Sequence, residues 1–69
     1  MVRINLAVLL AKKKWKQSDL VRMTGIRTNT INDMYHEFAI SIKLEHIDKI
    51  CKALGCTAGE LIEYIPDKE

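Results

Sequence analysis

Between residues 28 and 33 the sequence carries a run of short polar side chains, interrupted only by Ile31. The run comprises Thr28, Asn29, Thr30, Asn32 and Asp33. Core helices are rarely this polar, and hydroxyl, amide and carboxylate groups in one cluster suit hydrogen-bonded recognition of another molecule. Catalysis is not indicated, because no nucleophile–base pair and no set of metal ligands occurs at a suitable spacing. We therefore expect a binding protein and not an enzyme. The alternative is that these side chains only solvate an exposed helix face.

Basic residues are concentrated in the first half of the chain. Residues 1–30 hold seven basic side chains and one acidic side chain, a net charge of +6. Residues 31–69 hold four lysines and eight acidic side chains, a net charge of −4, which leaves +2 for the whole chain. Such a distribution favours a polyanionic partner for the first half, although a lysine-rich, solvated helix end is the alternative.

The length and the apolar segments limit the class of protein. A chain of 69 residues forms one small domain and has little room for a deep ligand pocket. The longest apolar run, LAVLL at residues 6–10, is too short to span a bilayer. Lysines follow that run, whereas a signal peptide carries its positive charges before the apolar segment. We expect one cytoplasmic domain over residues 1–69, with no membrane partner.

Two cysteines, Cys51 and Cys56, are the remaining candidates for chemistry. Without a secretory signal we expect both thiols to be reduced. Their CxxxxC spacing matches no common zinc pattern, and a site would need His36 or His46 as well. We interpret Cys51 as a small hydrophobe on a buried helix face, and we expect no metal and no other cofactor.

Apolar side chains at helical spacing predict five short helices. The first three lie at about 4–13, 17–23 and 28–35. The fourth runs from Leu44 to Leu54, and the fifth follows the capping-box sequence TAGE at 57–60. We expect Gly25 to end the second helix. The fifth helix is predicted to run through Leu61 and Ile62 until Pro66 stops it. No alternation of apolar and polar residues is long enough for a sheet, so the predicted fold is an all-α, compact five-helix bundle with its core at about 4–65.

The second and third helices are joined by a short turn that contains Gly25. This is the arrangement of a helix-turn-helix, here over about residues 17–35. We expect Leu20 and Ile31 to fill the angle between the two helices. Ile26 is predicted to point inward and to anchor the start of the third helix.

A family resemblance is carried by two stretches, NLAVLLAKKKWKQSDLVRMTGIRTNTINDMY and KLEHIDKICKALGCTAGELIEYIPD. They resemble small single-domain proteins of the Cro/lambda-repressor type, also called the xenobiotic-response-element family, over about residues 4–67. The resemblance implies a lambda-repressor-like DNA-binding fold whose third helix enters the major groove. It also implies a transcriptional repressor that binds a palindromic operator in double-stranded DNA as a homodimer. No small-molecule effector is evident.

The resemblance assigns roles to the polar residues of the third helix and to its neighbours. The side chains expected to contact bases are Thr28, Asn29, Asn32 and Asp33, because asparagine pairs with adenine, threonine offers a hydroxyl or methyl group, and aspartate accepts from cytosine. Thr30 is expected to turn toward the second helix. The side chains expected to contact phosphates are Lys16, Gln17, Arg27 and Lys43.

The predicted capping positions Lys16 and Arg27 differ from the family, which usually has Ser or Thr at both. A cation at a helix N-terminus is unfavourable unless an anion lies beside it, so we interpret both side chains as phosphate ligands. The alternative is that Ser18 and Thr28 cap the two helices while the cations point into water.

The loop HEFAIS at residues 36–41 also departs from the family, which tends to have Asn-Gly followed by basic residues. Glu37 is expected to repel a phosphate, so the loop adds little to DNA binding. Phe38 and Ile40 either fold back onto the core with Ile42 or form a contact with a second copy or another partner. These features support a second hypothesis, in which the protein is an interaction module, an adaptor or antirepressor, with weak or no DNA binding.

Overall fold

The computed structural model describes residues 1–67. Along the chain it has two short strands and five helices: β1 (Val2–Ile4), α1 (Leu6–Lys13), α2 (Gln17–Thr24), α3 (Thr28–Tyr35), α4 (Leu44–Leu54), α5 (Ala58–Leu61) and β2 (Ile62–Tyr64). The predicted five-helix fold is confirmed, and the observed bounds of the third and fourth helices equal the predicted ones.

One apolar core holds the helices together. Its ten buried side chains are Leu6, Leu9, Leu10, Leu20, Ile26, Ile31, Met34, Ile50, Leu54 and Leu61. Each helix contributes at least one of them, and those of α1, α3 and α4 recur at the three- and four-residue spacing that places side chains on one helix face. Burial of this apolar surface is the main term that stabilises the fold.

The turn between α2 and α3 is fixed by local hydrogen bonds as well as by burial. Gly25 adopts a left-handed conformation, with φ of 73°, and its N–H donates to the Val21 carbonyl at 2.8 Å. The Thr24 hydroxyl donates to the Leu20 carbonyl at 2.7 Å and accepts from the Ile26 N–H at 3.2 Å. The side chain of Ile26 is buried, as predicted. The direction in which α3 leaves the turn is therefore determined by the sequence of the turn itself.

The prediction that the chain contains no sheet is wrong. β1 and β2 form an antiparallel pair, in which Val2 lies opposite Tyr64 and Ile4 opposite Ile62. Each strand has only three residues, which is too short to produce a recognisable alternation in sequence.

The same pairing corrects two helix bounds. The first helix begins at Leu6 and not at about residue 4, because residues 2–4 belong to β1. The fifth helix begins as predicted, since Thr57 and Glu60 form the capping box, with hydrogen bonds of 3.0 and 3.1 Å. It ends at Leu61, however, because the following residues extend to pair with β1.

None of the helices described over residues 1–67 combines the length and the apolar character needed to cross a membrane.

Candidate DNA-binding surface

Helix α3 separates its side chains into a buried side and an exposed polar side. Ile31 and Met34 are buried, and they hold the helix against α2 and the core. At 100° per residue, the opposite arc of the helix carries one contiguous exposed face. This face, which we call the α3 polar face, consists of Thr28, Asn29, Asn32 and Asp33, and all four are exposed. Thr30 falls outside it and is half-buried, toward the turn after α2.

The start of α2 carries Lys16 and Gln17. Lys16 precedes the helix with an extended backbone and an exposed side chain. Its N–H is capped by the Asp19 carboxylate at 2.8 Å, and Asp19 also pairs with Arg22 at 3.0 Å. Within residues 1–67 the Ser18 side chain makes no hydrogen bond to this end of the helix, so the alternative that Ser18 caps it is wrong.

The start of α3 is left open. Its first backbone hydrogen bond runs from the Ile31 N–H to the Arg27 carbonyl at 3.1 Å, so the N–H groups of the first turn point out of the helix end. Within residues 1–67 no side chain caps these groups, neither Arg27 nor Thr28. The alternative that Thr28 acts as the cap is also wrong. Exposed Arg27 lies beside unsatisfied N–H groups, an arrangement that suits an anion.

An open cleft of about 590 Å³ separates α3 from α4 and brings together side chains from both. Among its lining residues are Arg27, Thr30, Asp33, Lys43, His46 and Lys49. Sequence reasoning predicted Arg27 and Lys43 separately, and the structure places them on the walls of one cleft. The sequence analysis did not predict His46 and Lys49. Residues 43, 46 and 49 are nevertheless three positions apart, a spacing that places them on one side of α4. Lys49 is also paired with Glu45, at 3.0 Å.

The end of α3 forms a turn in which Glu37 takes the left-handed position, with φ of 60°. The Glu37 N–H donates to the Met34 carbonyl at 3.2 Å, and the Phe38 N–H donates to the Asp33 carbonyl at 2.8 Å. This is the Schellman pattern, which usually has Gly or Asn at that position. The turn directs the following loop away from the helix axis.

We expected the Glu37 carboxylate to be a free charge that repels a phosphate. In the structure it is instead held against β1. It accepts the Ile4 N–H at 3.0 Å and a guanidinium N–H of Arg3 at 3.3 Å. The Ile4 hydrogen bond, followed by that of Arg3, lowers the pKa of this carboxyl below its ordinary value. Arg3 offsets much of the repulsion that Glu37 would exert on a phosphate.

Phe38 and Ile40 do not fold back onto the core, so that interpretation is wrong. Phe38 is 70% exposed and Ile40 is completely exposed, whereas Ala39 and Ile42 take the inward positions. The turn at Glu37 projects Phe38 outward, where its ring stacks on the ring of His36 with a centroid distance of 5.5 Å. His36 is exposed at the helix end, as predicted.

A family model described as the Cro/C1-type HTH DNA-binding domain matches residues 5–67. The chain belongs to this family. Over 66 residues it is 35% identical to YozG of Bacillus subtilis (strain 168), an uncharacterized HTH-type transcriptional regulator, and the match covers 96% of this chain and 79% of YozG. A crystal structure of a protein from Bacteroides fragilis has the same fold, with a TM-score of 0.80 and 24% identity over 91% of this chain and all of the other.

Membership of the Cro/C1 family identifies double-stranded DNA as the partner of this domain, and the family is one of DNA-binding proteins rather than of enzymes. α2 and α3 are the two helices of its helix-turn-helix, joined through Gly25.

Proposed function

We propose that this Cro/C1-type protein is a sequence-specific regulator of transcription, a cytoplasmic repressor that reads the major groove of DNA with α3. The observation that carries the proposal is the α3 polar face, which is contiguous, exposed and rigidly mounted on Ile31 and Met34. A helix carrying amide, hydroxyl and carboxylate groups on one face matches the donor and acceptor pattern of base edges in the major groove. α3 thus acts as the recognition helix.

The base contacts come from the α3 polar face. Asn29 and Asn32 are suited to adenine, whose N6 and N7 pair with a side-chain amide in two hydrogen bonds. Thr28 offers its methyl group to a thymine or its hydroxyl to a base, and Asp33 accepts from the amino group of cytosine. Each well-formed pair of hydrogen bonds contributes roughly 1–3 kcal/mol of discrimination between bases.

The phosphate contacts come from three exposed cations that share one position in the fold. Lys16, Arg27 and Lys43 each immediately precede a helix, namely α2, α3 and α4. A cation there opposes the helix dipole in the free protein. A bound phosphate reverses this cost, because it interacts favourably with both the cation and the open N–H groups of the helix. Gln17, in the first turn of α2, supplies an uncharged hydrogen-bond donor to a phosphate of the DNA backbone.

Two copies of the protein acting together explain how so small a surface achieves specificity. One α3 contacts few base pairs, whereas a two-fold dimer doubles the contacts on a palindromic operator with half-sites about one helical turn apart. Occupation of an operator that overlaps a promoter blocks RNA polymerase, so repression requires no further chemistry. We therefore propose a homodimer as the active form.

Fluorescence anisotropy with a mixed-sequence duplex at about 50 and about 200 mM salt tests the electrostatic part of the proposal. With Lys16, Arg27 and Lys43 from two protomers, six phosphates are neutralised, and the affinity is expected to fall about 10³-fold between the two salt concentrations. Selection of a preferred site from random duplexes then tests base reading. A palindromic consensus is the expected result.

The second candidate function is an interaction module, an adaptor or antirepressor, that keeps the fold with weak or no DNA binding. It is favoured by the exposed apolar side chains of Phe38 and Ile40, and by the lack of cations on the α3 polar face. Absence of DNA binding even at the lower salt concentration would favour this candidate over the first.

A further inference from the structure

Four exposed apolar side chains lie in the two strands and in the loop that follows α3. They are Val2, Phe38, Ile40 and Tyr64, with exposed fractions of 63, 70, 102 and 68%. We call them the apolar rim. Val2 and Tyr64 lie directly opposite each other in the sheet, Val2 and Ile40 line the same groove, and Ile40 and Phe38 line the next one. The four side chains are thus linked in sequence, through the sheet and through two grooves that share the loop at residues 39–42.

The patch contains both a projection and a recess. Ile40 stands completely exposed at the tip of the loop. Beside it lies a groove of about 330 Å³, between that loop and the sheet, which is floored by Ile4, Ile42 and Ile62. The groove has more than enough volume for an isoleucine side chain. A surface that carries a projection next to a matching recess is self-complementary, which is what a two-fold contact between identical copies requires.

The charge at this surface favours an apolar occupant. Among the described residues that line the groove, Glu37 is the only charged one, and it is paired with Arg3 at 3.3 Å. Within the described residues, this ion pair leaves the groove itself without a net charge that would attract a nucleic acid or a strongly charged peptide. What remains uncovered is apolar side-chain surface.

The area is appropriate to a dimer of modest stability. The exposed parts of the four rim side chains amount to about 500–600 Å² on each copy, at the upper end for an apolar patch on a monomer. A typical specific interface covers about 800 Å² per partner, so the rim provides most of a small interface. A dimer of this size dissociates on dilution.

We infer that the apolar rim is the two-fold contact between two copies of this chain, with Ile40 of each copy inserted into the groove of the other. The inference rests on the proposed function, which requires a homodimer, and it assigns the surface of that dimer. Because the loop that carries Ile40 continues directly from α3, the contact also fixes how the two recognition helices are spaced and oriented.

Sedimentation equilibrium of the full chain, from a few micromolar to several hundred micromolar, tests the inference. Ile40→Lys and Val2→Lys are the test variants, because both side chains are exposed and neither change disturbs the core. Val8→Lys, at an exposed apolar position on α1 outside the rim, is the matched control. We expect wild type and the Val8→Lys variant to dimerise alike, and the two rim variants to require at least tenfold higher concentrations.

A wild-type chain that stays monomeric throughout this range, or rim variants that dimerise as wild type does, would overturn the inference. Circular dichroism verifies that each variant is folded. Salt-dependent binding of a mixed-sequence duplex, measured on the same samples, distinguishes this failure from failure of the proposed function. A folded monomer that still binds DNA overturns only the assigned interface, whereas a dimer that binds no DNA overturns the proposed function alone.

Discussion

The carboxylate of Glu37 accepts a hydrogen bond from the backbone N–H of Ile4, at 3.0 Å, and so ties the end of α3 to the first strand. Glu37 adopts a left-handed backbone conformation that usually selects Gly or Asn. The strain is offset because this conformation aims the carboxylate at β1, where Arg3 is its second partner. A residue that looks unsuited to its turn is explained by a contact more than thirty positions away along the chain.

Replacement of Glu37 by Gln is expected to weaken the dependence of stability on acid pH. The Ile4 N–H and Arg3 lower the pKa of the Glu37 carboxyl below 4.5 in the folded chain. Such a group stabilises the fold above pH 4.5 and loses this contribution as the pH falls through the lowered pKa. The free energy of unfolding of wild type should therefore fall more steeply than that of the Glu37→Gln variant between about pH 6 and about pH 3.

Urea denaturation at a series of pH values measures this difference. Because the carboxylate is exposed, the difference should shrink at high salt, which serves as an internal control. Equal pH dependence of the two proteins would show that the contact of Glu37 with β1 does not persist in solution.

The helices were predictable because their signals are local. The bounds of α3 and α4 follow from apolar spacing and from glycines that end helices, and the burial of Leu20 and Ile31 follows from the same spacing. The sheet was not predictable, because two three-residue strands pair about sixty positions apart and neither carries a pattern of its own.

The site could be predicted in part for the same reason. The α3 polar face is a local pattern, so its four residues could be named from the sequence, and the structure places them side by side. The position of His46 and Lys49 beside Arg27 depends on how α4 crosses α3, which no local pattern encodes. The exposure of Phe38 and Ile40 could not be predicted either, because the same loop carries apolar residues that pack inward, Ala39 and Ile42.

Replacement of Gly25 by Ala is expected to destabilise the fold through backbone strain alone. Gly25 has a positive φ of 73°, and an added Cβ atom would meet nothing within 4 Å, so no steric clash contributes. The expected loss is about 1–2 kcal/mol in the free energy of unfolding, measured by urea denaturation.

Gly59 provides the matched control for this prediction. It lies within α5, without a positive φ, where an added Cβ would make only an ordinary contact of 3.9 Å with Thr57. Gly59→Ala should therefore stabilise the protein, by about 0.5 kcal/mol, since alanine loses less conformational entropy than glycine in a helix. If both substitutions had the same sign, the turn would not be the strained position that its geometry indicates.

The thiol of Cys56 is expected to react slowly in the folded protein. Burial, together with the neighbouring Cys51 thiol, raises the pKa of Cys56 from 9.0 to about 11. The reactive thiolate is thus about a hundredfold rarer at a given pH than in the unfolded chain. Alkylation by iodoacetamide at about pH 8, followed by mass spectrometry, should be slower by a similar factor without denaturant than with it.

A Cys51→Ala variant tests the cause of this shift. Removal of the neighbouring thiol should accelerate alkylation of Cys56, but not to the rate of the unfolded chain, because burial is the larger cause and remains. Rapid alkylation of folded wild type would mean that this corner, where α4 ends and α5 begins, opens readily.

The division of labour between base and phosphate contacts can be tested by replacing Asn29 and Arg27 separately with Ala. Both side chains are exposed and neither belongs to the core, so the two variants should be as stable as wild type to within about 0.5 kcal/mol. Their effects on DNA binding should nevertheless differ in kind, because the proposed function assigns Asn29 to a base and Arg27 to a phosphate.

Asn29→Ala should weaken binding to the selected operator by about 1–3 kcal/mol and leave binding to mixed-sequence DNA nearly unchanged. Arg27→Ala should weaken binding to both duplexes alike and reduce the slope of log affinity against log salt by about 1 for each protomer. Anisotropy titrations of each variant with both duplexes, at several salt concentrations, measure the affinities and the salt slopes. If Asn29→Ala changed the salt slope while Arg27→Ala changed base preference, Asn29 would contact a phosphate and Arg27 a base, and α3 would lie on the DNA in another orientation than the proposed one.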